Sequence, residues 1–240
     1  MQRKILERLN LARQQKQAVV LITHLEKPEQ YLYSESRENS IGPIPGELEE
    51  LAKQAARLDR SQMHETESGK VFFNAFNPPL RMFIVGAVHI SQTLAPLAVM
   101  CGYDVTVIDP RRAFATNERF PDINISTAWP DEALGELIPD NRTAVVTLTH
   151  DPKLDDPALV TALNSDAFYI GALGSKKTQA GRQQRLEEKG FSLEQQQRIC
   201  GPVGLDIGAK SPAEIALSIM AQVTQHARQG SVLQETVSNG

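Results

Sequence analysis

From Arg81 onward the chain repeats one pattern: a short apolar segment, a turn, then a helical stretch. Met82-Phe83-Ile84-Val85 runs into Gly86, and Val105-Thr106-Val107-Ile108 ends at Asp109. Ala144-Val145-Val146-Thr147-Leu148 ends at Thr149-His150-Asp151, and Ala167-Phe168-Tyr169-Ile170 ends at Gly171. Ile123-Asn124-Ile125 is a weaker member of the series. Strands with no polar side have both faces buried, the condition met by a parallel sheet under crossover helices. Right-handed crossovers make such a sheet doubly wound. The pattern predicts an α/β fold with a doubly wound parallel sheet over residues 80–240, in which no internal repeat is visible.

Residues 1–79 read differently, as a smaller N-terminal α+β domain. Ile5, Leu6, Leu9 and Ala12 share one face at helical spacing, and Ala18 to Leu25 is an apolar run rich in β-branched residues. Leu48, Leu51, Ala55 and Leu58 mark a second amphipathic helix, and Val71 to Phe76 a second strand. Asn77-Pro78-Pro79 cannot continue a ladder, which places the domain boundary there. At the far end, Ser211-Pro212-Ala213-Glu214 is a capping box ahead of the stripe Ile215, Ala216, Ile219, Met220 and Val223.

Composition removes several functions. With 25 basic against 29 acidic residues the net charge is −4, the wrong sign for a chain that tracks nucleic-acid phosphates. No apolar run is long enough to span a membrane, and charges interrupt the leucines of the first residues, unlike a signal peptide. Cys101 and Cys200 form no disulfide framework, so a reducing cytoplasm is the expected address. Cys101 falls in an apolar helix end and reads as core, whereas Cys200 adjoins a glycine-rich loop. His24, His64, His89, His150 and His226 are scattered without zinc-site spacing, and no G-x-S-x-G elbow is present. No metal ligands and no catalytic residues are therefore expected.

In open α/β sheets ligands bind beyond the carboxyl ends of the strands, which makes the following loops the candidates. Gly86-Ala87-Val88-His89 approximates a dinucleotide-binding turn, with Asp109 where a ribose acceptor would stand. Val88 replaces the second glycine, so a Rossmann-shaped domain without a dinucleotide is the alternative. His89 either contacts an anion or caps the helix. Arg111 and Arg112 either hold phosphate or carboxylate or lie as a solvated pair. His150-Asp151 reads as an acid–base pair or as a helix cap through Asp151.

The strongest loop is Gly171-Ala172-Leu173-Gly174-Ser175-Lys176-Lys177-Thr178. Its glycines, hydroxyl and two lysines stand at a helix start, where free N–H groups and the helix dipole attract anions. Lysines suit the opposite end of a helix, so their placement here points to function, the alternative being a merely solvated helix with i,i+4 pairs. Arg182 and Arg185 follow, within reach of the same anion or along the helix flank. A last loop, Gly201-Pro202-Val203-Gly204-Leu205-Asp206-Ile207-Gly208-Ala209, needs tight turns. It leaves Asp206 either as a ligand acceptor or as a local turn acceptor.

Four of these segments together resemble the XdhC/CoxI family, accessory proteins of xanthine dehydrogenase and related molybdenum hydroxylases. They are Ile84–His89, Asp104–Arg111, Tyr169–Lys177 and Pro202–Ala209, and the similarity runs from about Arg81 to Arg228. The resemblance implies a Rossmann-like domain that binds a molybdopterin-type molybdenum cofactor. It also implies support for the cofactor's sulfuration and delivery to a hydroxylase apo-enzyme, with a cysteine desulfurase as second partner. Gly171, Gly174, Ser175, Lys176 and Lys177 would cradle the cofactor phosphate, with Arg111 helping to neutralise it, and Asp109 and Asp206 would accept from ribose or pterin groups. Gly86, His89, Arg112, Gly204 and Gly208 complete the expected cofactor-binding residues. Two departures stand out. Val88 replaces a family glycine, and the stretch Ile41–Glu49 holds no cysteine where the family carries Gly-Gly-Cys-x-Glu. The alternatives are an NAD(P)-dependent oxidoreductase and an interaction module without a ligand. The amphipathic front helices would pack on the second domain or on a second copy of the chain in a homodimer.

Overall fold

The computed structural model describes residues 3–237, with side chains placed for 3–228. It divides into two compact units, Met1–Pro78 and Pro79–Gly240.

In the first unit, α1 (Arg3–Gln14), β1 (Val19–His24), β2 (Gln30–Tyr33), α2 (Gly46–Arg57), β3 (Gln62–Thr66) and β4 (Gly69–Phe76) follow in order. The strands form an antiparallel sheet, β2-β1-β4-β3. Side chains on β1 alternate: Val19 and Leu21 pack with Ile5, Leu9 and Ala12 of α1, while Val20 and Ile22 pack with Leu48, Ala52 and Ala55 of α2. A helix on each face explains why this central strand is apolar from Val19 to Ile22. Leu6, expected on the buried face, is 41% exposed. The edge strands β2 and β3 carry too many polar residues to stand out in sequence, a usual property of edges.

The second unit holds β5 (Arg81–Val85), α3 (His89–Met100), β6 (Asp104–Ile108), β7 (Asn124–Ser126), α4 (Pro130–Leu137) and β8 (Thr143–Thr147). It continues with α5 (Pro152–Leu163), β9 (Tyr169–Ala172), α6 (Lys176–Glu188), α7 (Leu193–Gln196), β10 (Ile199–Cys200) and α8 (Pro212–Val237). All its strands are parallel, in the order β10-β9-β8-β5-β6-β7. This is the doubly wound arrangement with its reversal between β5 and β8, the place where such sheets open a crevice. Met82, Ile84, Val107 and Val146 pack with Leu94 and Ala98 of α3 and with Ala216, Ile219 and Val223 of α8. On the other face, Phe83, Val85, Val145 and Ile170 meet Leu134, Ala158, Leu159 and Leu186. The sixth strand, β10, has two residues, too few to show a period in sequence. The capping box is formed: Glu214 N–H donates to Ser211 Oγ, and Ser211 N–H to Glu214 Oε2.

Candidate functional site at the carboxyl edge of the parallel sheet

The loops after β9, β8, β5 and β6 are neighbours along one edge. With strands about 4.8 Å apart, the four ends span about 14 Å.

At the reversal point the fold uses its polar groups on itself. Asp109 is wholly buried. Its Oδ1 accepts from Arg111 N and Nε, both at 2.9 Å, and its Oδ2 from Ala87 N and Arg111 Nη2, both at 2.8 Å. Burial alone would raise this carboxyl; the Arg111 guanidinium and the two backbone donors outweigh it and hold the pKa below the usual carboxylate value. Four donors, three from Arg111 and one from Ala87, occupy the carboxylate's lone pairs in this structure. Arg111 is drawn into the same clamp and also lies 4.8 Å from the Phe114 ring centroid. Arg119, which sequence reading missed, bonds Ala87 O and Phe114 O at 2.8 Å and Gln92 Oε1 at 3.0 Å. Nothing in its spacing, 32 residues from Ala87, announces that contact.

The glycines also serve the scaffold. At Gly86 φ is +110°, and a Cβ there would stand 2.6 Å from Thr149 Cγ2. The near contact of β5's end with the β8 loop is by itself enough to require glycine there. At Gly204, φ +96°, a Cβ would meet Ser218 Oγ at 2.3 Å, so this glycine seats the loop on α8. Val203 Cγ2 blocks a Cβ at Gly171, and Thr178 Cγ2 blocks one at Gly174, at 2.6 and 2.8 Å. Each of these four glycines thus has a packing reason within the fold. Only the turn glycine Gly208, among the expected ones, has open space beside it.

At the end of β9 the arrangement differs. Ser175 caps α6, its Oγ accepting from Thr178 N–H at 3.2 Å. Lys176 and Lys177, the first two helical residues, are exposed and make no hydrogen bond or ion pair among the described residues. His89, Arg112 and His150, on the neighbouring loops, are also exposed, with no hydrogen bond or ion pair among the described residues. His150, in the loop three residues past the end of β8, has φ +61°, an uncommon conformation for a residue with a Cβ. Asp151 caps α5 by accepting from Lys153 N–H at 3.0 Å, so of its two readings the cap holds. Asp206 is exposed on the loop after β10, without a partner among the described residues.

Arg182 and Arg185 do not join these cations. Arg182 is 3% exposed, donates to Leu173 O and Gln179 Oε1 at 2.9 and 2.5 Å, and faces Asp155 at 3.9 Å. Burial raises the Asp155 carboxyl above its usual value despite the Thr149 hydroxyl and Arg182. Arg185 is paired with Asp156 through Nε at 2.5 Å and Nη2 at 3.1 Å. Both arginines fasten α6 to α5. Cys101, read as core, is exposed at the end of α3. Among the described residues no group of three or more His, Cys, Asp or Glu is placed to hold a metal ion, and no helix is long and apolar enough to cross a membrane.

A phosphate group fits this donor set. The N-terminus of α6 and Lys176 and Lys177 supply positive potential that no carboxylate among the described residues neutralises.

A family model described as the XdhC Rossmann domain matches residues 82–223. The chain is 34% identical over 148 residues to the molybdenum cofactor insertion chaperone PaoD of Escherichia coli strain K12, covering 62% of this chain and 40% of the relative. It is 32% identical over 171 residues to a probable xanthine dehydrogenase subunit of Bacillus subtilis strain 168, covering 71% of this chain and 50% of the relative. It thus spans 40% to 50% of the length of these relatives. A crystal structure described as a xanthine dehydrogenase from Bacillus halodurans superposes with a TM-score of 0.76 at 25% identity, over 97% of this chain and 69% of that one. With its Rossmann-type strand order and a match over most of the second unit, the chain belongs to the XdhC family.

Proposed function

We propose that this chain is an accessory protein that holds a molybdopterin-type molybdenum cofactor and passes it to the apo-form of a molybdenum hydroxylase. The observation that carries this reading is the division of charge at the carboxyl edge: Arg111, Arg182 and Arg185 are tied to internal carboxylates, while Lys176 and Lys177 are left without partners among the described residues. The cofactor phosphate would lie against the first turn of α6, with Lys176 and Lys177 on it, while His89 and Arg112, on the loops after β5 and β6 farther along the edge, would meet other groups of the cofactor. Asp206 would accept from pterin N–H groups. When bound, the cofactor supplies the redox chemistry of the target enzyme; this chain's residues bind it and orient it. An exposed site suits a ligand that must be handed on, since release then needs no opening of a core. The relatives' names support the role, and a cysteine desulfurase as sulfur source and a homodimer belong to the same proposal.

A nicotinamide dinucleotide is served less well. Val88 stands at the position where a pyrophosphate needs glycine, and Asp109 has no free lone pair for a ribose.

Protein purified from a host that makes molybdopterin tests the reading. After oxidation the wild type is expected to release a fluorescent pterin, and Lys176→Ala/Lys177→Ala much less, with thermal unfolding unchanged. Equal pterin in both proteins, or none in the wild type, overturns it.

A further inference from the structure

Away from the lysines, a thiol and an imidazole stand together where β10 meets α8. Cys200 is the last residue of β10 and half-buried. Its Sγ lies 3.4 Å from His226 Nε2. The other ring nitrogen, Nδ1, lies 3.0 Å from the Gln222 carbonyl oxygen, one helical turn back. A carbonyl only accepts, so Nδ1 carries a proton, and in the neutral ring Nε2 presents its lone pair to the thiol. The ring is held from the side as well, edge-on to Tyr169 at 5.1 Å between centroids. Tyr169 donates its hydroxyl proton to Gln222 Oε1 at 2.6 Å, and Gly204 N–H donates to the same oxygen at 2.8 Å. Base, orienting carbonyl and supporting side chains form the arrangement by which a nucleophile is activated through an adjacent base.

We propose that Cys200 and His226 form a reactive thiol site that is modified by sulfur-centred electrophiles, low-molecular-weight disulfides being the chemical class. His226 Nε2 takes the thiol proton as the sulfur electron pair attacks one sulfur of the disulfide. The S–S bond breaks, its electron pair leaves on the second sulfur, and that sulfur receives the proton from His226. The net change is Cys200–SH plus RSSR to Cys200–S–S–R plus RSH, with no further oxidant. A base is needed here because burial pushes the Cys200 thiol up, so the resting sulfur is protonated. Cys101, exposed at a helix end, has no imidazole beside it among the described residues. The site is independent of the cofactor reading.

The test uses the full chain carrying Cys101→Ser, so that one thiol is read. Incubation with glutathione disulfide at neutral pH, followed by intact mass, is expected to show one adduct per chain, absent when Cys200→Ser is added. His226→Ala is expected to slow the reaction by at least about tenfold, and free imidazole to restore it. A native protein that reacts only after denaturation, or a His226→Ala rate equal to the parent's, overturns the proposal.

Discussion

The corner built by β5 and β6 and the corner built by β9 and α6 both carry the residues of an anion loop, and they use them differently. At the first, Asp109 gathers Ala87 and Arg111 into a buried clamp, and Gly86 lets two strand ends nearly touch. At the second, Ser175 takes only the Thr178 N–H of the helix start, and two lysines are left exposed. Glycines and cationic side chains thus serve stability in one corner, while in the other the two lysines keep no internal partner among the described residues. What separates them is whether a carboxylate of the chain has already taken the charge.

The comparison breaks first at Asp109. Asp109→Ala strands a guanidinium and two backbone N–H groups, and is expected to cost about 3 kcal/mol or more in urea unfolding. The contribution depends on pH in a defined direction: the folded pKa lies below the ordinary 3.8, so the stability is complete above that value and lost as pH falls through the lowered one. Gly86→Ala is expected to be similarly severe, about 3 kcal/mol, because the new Cβ meets Thr149 in a left-handed backbone. Gly208→Ala, with φ +74° and nothing nearby, should cost only about 1 kcal/mol in the same assay.

Asp155 offers a test of opposite sign. Its folded pKa is raised, so its ionisation opposes folding: stability declines as pH rises from 3.8 through the raised value. Asp155→Asn is expected to flatten that part of the pH–stability curve; an unchanged slope would contradict the assignment. The smallest structural effect is expected at the second corner. Lys176→Ala/Lys177→Ala should shift unfolding by less than about 0.5 kcal/mol, as for exposed residues without partners.

Much of the fold was legible because β5, β6 and β8 are buried on both faces and therefore read as apolar runs. β10 escaped because two residues carry no period, and β2 and β3 because edge strands are polar. Within the site, sequence located the loops, since glycines and charges cluster after strands. It did not tell consumed charge from free charge. Arg182 and Lys176 look alike in sequence, and only the positions of Asp155 and Leu173, brought close by the fold, separate them. Likewise a glycine needed by Thr149 or Ser218 is indistinguishable from one needed by a phosphate until the backbone is in place.

Molybdopterin affinity measured across a range of salt concentrations, for the wild type and for Lys176→Ala/Lys177→Ala, tests the central claim most directly. If the unpaired lysines grip a phosphate, the double variant binds at least about tenfold more weakly, and its affinity depends less on salt. Equal affinities with equal salt dependence would show that those charges face only water.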